Sequence, residues 1–212
     1  MIPIQNIYYM LSYAFQVLNE QGYKNIATEQ FNNTGELMAA ILEKGIAIQL
    51  KRGLGKEYIL QTEALSSLRG KIDIAESIKT QSMLRKQLIC TYDEFSVNSI
   101  MNRIIKSTVE LLLRSNISKQ RKKNLRKLMV YFSEVDFIDL YTVNWNVQYN
   151  RNNQTYHMLI SICYLVVKGL LQTQSNGHTE LMDFLDEQRM CRLYEKFILE
   201  YYRKEFKNQF TA

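Results

Sequence analysis

Two short segments combine residue types that could do chemistry. Glu205-Phe206-Lys207 has the Glu-x-Lys spacing of metal-dependent nucleases. On a strand, that spacing puts the carboxylate and the lysine on one face, beside a metal and the attacking water. The segment lies in the predicted tail of a helix, so we expect no catalytic role for it. The stretch from Arg52 to Lys56 (RGLGK) lacks the GxxxxGK[ST] spacing of a phosphate-binding loop and predicts a tight turn.

Other catalytic or metal-binding arrangements are absent from the sequence. His157 and His178 are far from each other and from a suitable carboxylate, so metal ligation by them is not expected. The three cysteines, Cys90, Cys163 and Cys191, are widely spaced without a CxxC pair, which indicates neither zinc nor a disulfide. We therefore expect no cofactor in this chain and a cytoplasmic location.

The charge distribution points to a polyanionic partner. Residues 101–130 contain nine basic residues against one acid, Glu110, within a net charge of +6. Such a block can neutralise phosphates, and it can equally be a solvated helix face or a surface for an acidic protein. The densest part supplies the candidate nucleic-acid-binding residues. These are Lys119, Arg121, Lys122, Lys123, Arg126 and Lys127.

These residues must be positioned by a folded chain of mixed structure. Helical spacing of apolar residues predicts helices over 4–19 and 36–50, joined by a polar stretch, 25–35. Three strands are predicted next, over 58–60, 71–74 and 87–92, with Ser66-Ser67 and Arg69-Gly70 as turn residues.

Helices dominate the second half of the sequence. Residues 96–114 predict the clearest helix, with Ser96 as its N-cap, and Ser118 is the predicted cap of the next. A polar loop (144–155) precedes two further predicted helices, 155–171 and 189–206. The apolar stretch 158–171 is too short to span a bilayer, so no membrane contact is expected. The predicted fold class is α+β, with a β-rich centre flanked by amphipathic helices and a mostly helical C-terminal half.

Several ordered blocks of the sequence resemble the McrC family of methylcytosine-dependent restriction systems. The opening, residues 2–14 (IPIQNIYYMLSYA), is similar to the start of McrC. The later blocks follow in the family's order and extend the resemblance over essentially the whole chain. They are Arg52-Gly53-Leu54, residues 68–72 (LRGKI), 102–108 (NRIIKST) and 193–197 (LYEKF).

The resemblance implies a division of labour. In McrC, an N-terminal region docks onto a ring of McrB and stimulates its GTP hydrolysis. McrB is an AAA+ motor that binds GTP and recognises the modified cytosine. A C-terminal PD-(D/E)xK domain cuts DNA with Mg²⁺. Residues 1–186 would then be the McrB-binding region, and 187–212 the first helix leading into a truncated nuclease domain. We expect the catalytic Asp and Asp-x-Lys to be missing from this chain, with Glu195 the only candidate acid.

Contact with a ring requires a protruding element with charged side chains. Turns around Arg69 and Lys71, and the loop with Lys79, Arg85 and Lys86, have exposed charge and flanking strands that could hold them out. We predict partner binding by Arg69, Lys71, Arg85 and Lys86; an ordinary solvated hairpin is the alternative.

The helix with Asn102, Arg103 and Lys106 matches a family block, and its sequence favours a structural role over DNA contact. Asn102 is expected to cap or brace a neighbouring loop, and Arg103 to pair with Asp93 or Glu94. Two other functions stay open: a stand-alone basic DNA-binding protein, and a full endonuclease subunit of which this chain is a fragment.

Overall fold

The computed structural model describes residues 4–19, 23–149, 154–174, 195 and 197–203. Its helices are α1 (Ile4–Ala14), α2 (Lys24–Thr28), α3 (Thr34–Arg52), α4 (Ile74–Lys79), α5 (Ile100–Arg114), α6 (Lys119–Met129) and α7 (Gln154–Gln174). The strands are β1 (Glu57–Leu65), β2 (Lys71–Asp73) and β3 (Leu88–Ser96), and 3-10 turns cover Gln16–Asn19, Ser82–Arg85 and Val130–Phe132. The predicted α+β class is confirmed.

The hydrophobic core is built around α3. The side chain of Asn33 caps this helix by accepting a hydrogen bond from the Glu36 amide at 2.8 Å. Residues 37–42 of α3 are buried without interruption, because α1, α5, α6 and α7 pack against different sides of the helix. Core side chains such as Leu11, Ile104 and Leu159 are fully buried. The helices therefore form one body that can support a projecting element.

The strands form one antiparallel sheet of order β1-β3-β2, so β3 is the central strand. The first and last pairs of β1 with β3 are Glu57↔Ser96 and Leu65↔Leu88. β2 pairs with β3 over Lys71↔Thr91 to Asp73↔Ile89. β1 and β2 do not pair, so the segment between them, 66–70, is a crossover and not a hairpin turn.

Residues 57–96 stand outside the hydrophobic core and are called the arm below. None of the core residues comes from this segment. The arm has only a small interior of its own, formed by Ser77, Ser82, Cys90 and Tyr92. A nine-residue strand spans about 27 Å. The arm thus projects from a base at Glu57 and Ser96 to a tip where Leu65 and Leu88 meet.

Several predicted boundaries were wrong for local reasons. Ser96 is the last residue of β3. The N-cap of α5 is Ser99, whose side chain accepts a hydrogen bond from the backbone N–H of Asn102. Ser118 caps α6 as predicted. The segment after β2 forms α4, and the polar stretch 25–35 contains most of α2 and the start of α3.

The C-terminal half agrees with the predicted helices where the structure describes it. Residues 144–149 have no regular structure and α7 follows. Residues 195 and 197–203 are helical. Outside the described residues lie the rest of the predicted helix 189–206, the Glu205–Lys207 segment, His178 and Cys191. Cys90 and Cys163 are buried free thiols. Over the described ranges, no helix has the length and apolar character needed to cross a membrane.

Candidate partner-binding arm

One side chain holds both ends of the arm. The Asn102 Nδ2 atom donates to the carbonyl of Gly55, just before β1, at 2.9 Å, and to that of Val97, just after β3, at 2.8 Å. Asn102 is completely buried. The amide group therefore fixes the two chain segments that join the arm to the helical body, and the prediction that Asn102 braces a neighbouring loop is confirmed.

Tyr156 of α7 completes this clamp. Its hydroxyl donates to Asn102 Oδ1 and accepts from the Gly55 amide, both at 2.7 Å. Burial raises the pKa of Tyr156, so the hydroxyl keeps its proton and remains a donor. A Cβ at Gly55 would lie 3.0 Å from the Tyr156 ring, which explains the glycine at this close approach. We call Gly55, Val97, Asn102 and Tyr156 the clamp.

The middle of the arm presents Arg69 and Lys71, both exposed. The crossover passes β3 at Tyr92, where the Arg69 guanidinium lies over the ring at 4.0 Å. The Tyr92 hydroxyl donates to Glu63 of β1, and this bond raises the pKa of Tyr92. Tyr92 pairs with Gln61 near the midpoint of the strands. The structure thus places Arg69 and Lys71 halfway along the arm rather than at its protruding end.

Gly70 makes this crossover possible. Its φ is +67°, and a Cβ there would lie 2.3 Å from the Thr91 carbonyl oxygen. Both the backbone angle and the contact with β3 exclude a side chain. The glycine in the LRGKI block is therefore required by the path of the chain over the sheet.

The tip of the arm combines a tight backbone with exposed apolar side chains. The 3-10 turn Ser82–Arg85 lies between two residues in left-handed conformation, Gln81 (φ 53°) and Lys86 (φ 58°). Leu84 in this turn is 82% exposed, the highest value among the large hydrophobic side chains that the structure describes. Non-glycine residues with positive φ are costly and are found preferentially at functional sites.

The exposed side chains of the tip come from α4 and this turn, which contact each other. The apolar ones are Ile74, Ile78, Met83 and Leu84. The basic ones are Lys79, Arg85 and Lys86, all exposed. The sequence predicted the charges and missed the apolar residues, although Ile74 and Ile78 are one helical turn apart. A surface of exposed apolar side chains bordered by charge is typical of a protein-binding site.

Arg103 and Lys106 have structural roles. The Arg103 guanidinium donates to the Phe137 carbonyl at 3.2 Å, and Lys106 Nζ donates to that of Phe132 at 2.9 Å. The predicted pairing of Arg103 with Asp93 or Glu94 is therefore wrong. Both cations instead hold the segment after α6 against α5.

Arg121 is separated by its contacts from the other basic residues of α6. It is paired with Glu43 at 2.8 Å, Glu29 at 2.5 Å and Glu36 at 3.7 Å. Burial lowers the pKa of Arg121, but the hydrogen bonds and negative charges of Glu43 and Glu29 raise it by a larger amount. The net pKa is therefore raised, and the guanidinium stays charged. Its side chain is only 14% exposed. Arg121 therefore joins α6 to α3 and is not available on the surface predicted to bind nucleic acid.

The remaining five predicted nucleic-acid-binding residues lie around the outer side of α6. Lys119, Lys123, Arg126 and Lys127 are exposed and Lys122 is half-buried. Lys127 also lines a cleft of about 400 Å³ together with Glu29, Glu43 and Arg121.

Glu195, the candidate catalytic acid, is in helical conformation and its side chain is exposed. Among the described residues, no three His, Cys, Asp or Glu side chains are grouped so as to hold a metal ion.

This chain is similar to known proteins in both sequence and fold. A sequence model described as McrBC 5-methylcytosine restriction system component matches residues 5–212. The type IV methyl-directed restriction enzyme EcoKMcrBC of Escherichia coli K12 is 29% identical over 214 residues. In the cryo-EM structure of the Thermococcus gammatolerans McrBC complex, one chain is similar at a TM-score of 0.63 with 21% identity over 95% of this chain.

A second solved structure shows the same fold. It is a refined half-complex from a tetradecameric assembly of T. gammatolerans McrB AAA+ hexamers with bound McrC (TM-score 0.58, 20% identity, 91% of this chain). This chain spans 62% of the E. coli protein and 58% and 46% of the two T. gammatolerans chains. Because the sequence model covers nearly all of the chain, the chain belongs to the McrBC 5-methylcytosine restriction system component family.

Proposed function

We propose that this chain is the McrC-like subunit of a modification-dependent restriction complex, and that the tip of its arm binds a ring of an McrB-type AAA+ GTPase and stimulates GTP hydrolysis. GTP would be bound by the partner. The observation that carries the proposal is the arm itself, which lies outside the core and ends in exposed apolar and basic side chains.

The tip has the chemistry of an insertion element. Burying Met83 and Leu84 against a partner would remove apolar area from water, which drives association. Arg85 and Lys86 would then meet carboxylates or carbonyl oxygens of the ring in a low-dielectric setting, where charge-assisted hydrogen bonds are directional. Arg69 and Lys71, about half the arm length away, would contact a more peripheral part of the ring.

The wider role of the complex follows from the family. Recognition of 5-methylcytosine would belong to the partner, and DNA cleavage would need the PD-(D/E)xK residues and Mg²⁺ of a nuclease domain. A relative is described as a methyl-directed restriction enzyme, and another is a structure of McrB hexamers with bound McrC. Both descriptions support assignment of this chain to a defence system against foreign DNA.

The test measures GTP hydrolysis by the purified motor with increasing amounts of this chain. The variant Ile78→Ser/Leu84→Ser removes apolar area from the tip. Its matched control, Val130→Ser/Tyr131→Ser, removes side chains of similar exposure outside the arm. We expect the tip variant to raise the half-maximal concentration by at least about tenfold, as for loss of interface hot spots. The control should behave as the unmodified chain.

Charge variants locate the contact along the arm. Arg85→Ala/Lys86→Ala should reduce stimulation more than Arg69→Ala/Lys71→Ala, because only the first pair is at the tip. Circular dichroism and urea unfolding establish that each variant is folded. Full stimulation by both the apolar and the charged tip variants would refute the proposal.

A further inference from the structure

We infer that the outer face of α6 is a nucleic-acid-binding surface that contacts the phosphate backbone through Lys119, Lys122, Lys123 and Arg126. This surface, called the α6 stripe below, is separate from the arm and from the proposed contact with the ring. Its partner is identified by chemistry alone: a closely spaced polyanion.

The four cations are not balanced within the described part of the chain. None of them forms an ion pair there, whereas Arg114 is paired with Glu110 and Arg121 with three glutamates. Lys127 is left out of the stripe because it borders the cleft that contains Glu29 and Glu43. No acidic residue lies between Glu110 and Glu134 in the sequence. The positive charge of the stripe is therefore left without an acidic partner among the residues that the structure describes.

The helix is unfavourably charged for a purely structural element. Lys119 and Lys123 are four residues apart, as are Lys122 and Arg126, and like charges at this spacing destabilise a helix. The first turn has no acid and begins with Lys119, although a helix N-terminus favours negative charge. A phosphate backbone alongside would reverse both unfavourable terms.

The geometry suits a linear array of phosphates. The four cations lie within one seven-residue step of the helix, about 11 Å along its axis, so they are close enough together to contact neighbouring phosphates. Exposed Tyr131 lies in the 3-10 turn that follows α6, where an aromatic ring can stack on an unpaired base or contact the sugar-phosphate chain. A nucleic-acid backbone carries one negative charge per nucleotide without interruption, so it matches this uninterrupted group of cations better than the mixed surface of a protein.

The experiment measures fluorescence anisotropy of a short labelled DNA duplex titrated with the full chain over a salt series. Four phosphate contacts predict a slope of log K against log salt of about −3.6, and an affinity loss of about 100-fold between 50 and 200 mM salt. The variant Lys119→Gln/Lys122→Gln/Lys123→Gln/Arg126→Gln should lose most of this slope.

The control variant is Arg69→Ala/Lys71→Ala/Arg85→Ala/Lys86→Ala, which removes the same number of charges from the arm. It should bind DNA with the slope of the unmodified chain. Equal losses in both variants would show an effect of net charge and overturn the inference. An unchanged slope in the α6 variant would overturn it as well, and so would equally tight binding of polyglutamate, which would identify the partner of the stripe as an acidic protein.

GTPase stimulation separates this inference from the proposed function. The α6 variant should stimulate the motor normally while losing DNA affinity, and the arm variant should do the reverse. Failure of one proposal therefore leaves the other intact.

Discussion

The hydroxyl of Tyr156 lies 2.7 Å from Oδ1 of Asn102, and these two side chains together bond both the amide and the carbonyl of Gly55. Tyr156 is on α7 and Asn102 is on α5, so the contact joins the two helices at the point where β1 begins. The arm is thus attached to the helical body at a buried contact between α5 and α7.

Tyr156→Phe tests the clamp. Loss of the hydroxyl leaves the Gly55 amide and Asn102 Oδ1 without their partner in a buried site, which costs about 2 to 3 kcal/mol of unfolding free energy. The control Tyr131→Phe changes a residue that is 67% exposed and should alter stability by less than about 0.5 kcal/mol. Urea unfolding measures both. Equal stability of the two variants would show that the clamp does not stabilise the fold.

Gly70→Ala and Gly53→Ala form a matched pair. Both glycines have positive φ, but a Cβ at Gly53 meets nothing within 4 Å, whereas one at Gly70 collides with the Thr91 carbonyl. Gly53→Ala should cost about 1 to 3 kcal/mol from backbone strain alone, because its φ of 90° and ψ of 146° lie in a region that is almost restricted to glycine. Gly70→Ala should cost clearly more and distort the arm. Hydrogen exchange of the β3 amides measures the local effect, which should be confined to the Gly70 variant.

Arg121→Ala should destabilise the helical body. It leaves Glu36 and Glu43 close together without their cation, and because Glu29 and Glu43 are partly solvated, we expect about 2 kcal/mol rather than the larger value of a fully buried pair. Lys123→Ala, on the exposed side of the same helix, should be nearly neutral. Thermal unfolding of the two variants distinguishes them. A neutral Arg121→Ala would argue against the ion-pair cluster.

Stability should decrease at alkaline pH because of Cys163. Burial raises the pKa of this thiol from 9.0 to about 12. The unfolded chain therefore releases the proton above pH 9 while the folded chain keeps it, so stability is full below pH 9 and is lost towards pH 12. The loss is at most about 1.4 kcal/mol per pH unit. Cys163→Ala should show a shallower decline between pH 9 and 11 in urea unfolding, whatever its stability at pH 8.

The long helices could be predicted from sequence because their signals are local. Apolar residues at helical spacing, and the Ser118 cap before α6, lie within a few residues of one another. The order of the strands could not be predicted in this way. Glu57 pairs with Ser96 across 39 positions, and the turn residues at 66–70 suit a hairpin as well as a crossover. The short helix α4 has too few residues for a periodic pattern.

In the basic block of α6, charge alone does not distinguish a buried, paired side chain from an exposed one. Six cations of α6 have the same appearance in the sequence, yet Arg121 finds partners 78 and 92 positions away. One signal was available: Arg121 is four residues before Leu125 and seven before Leu128, so it shares the buried face of α6. Helical phase therefore separates a structural arginine from the five residues around the outer face.

The clamp at the base of the arm determines how precisely the tip is positioned. A single amide group sets the direction in which a rod about 27 Å long leaves the body, so a rotation of about 5° at Gly55 and Val97 would swing Leu84 sideways by about 2 Å. That displacement exceeds the backbone shift of about 1 Å that pre-organised interfaces usually show on binding. Asn102 then controls the orientation of the arm, whereas the side chains at the tip determine its affinity for a partner.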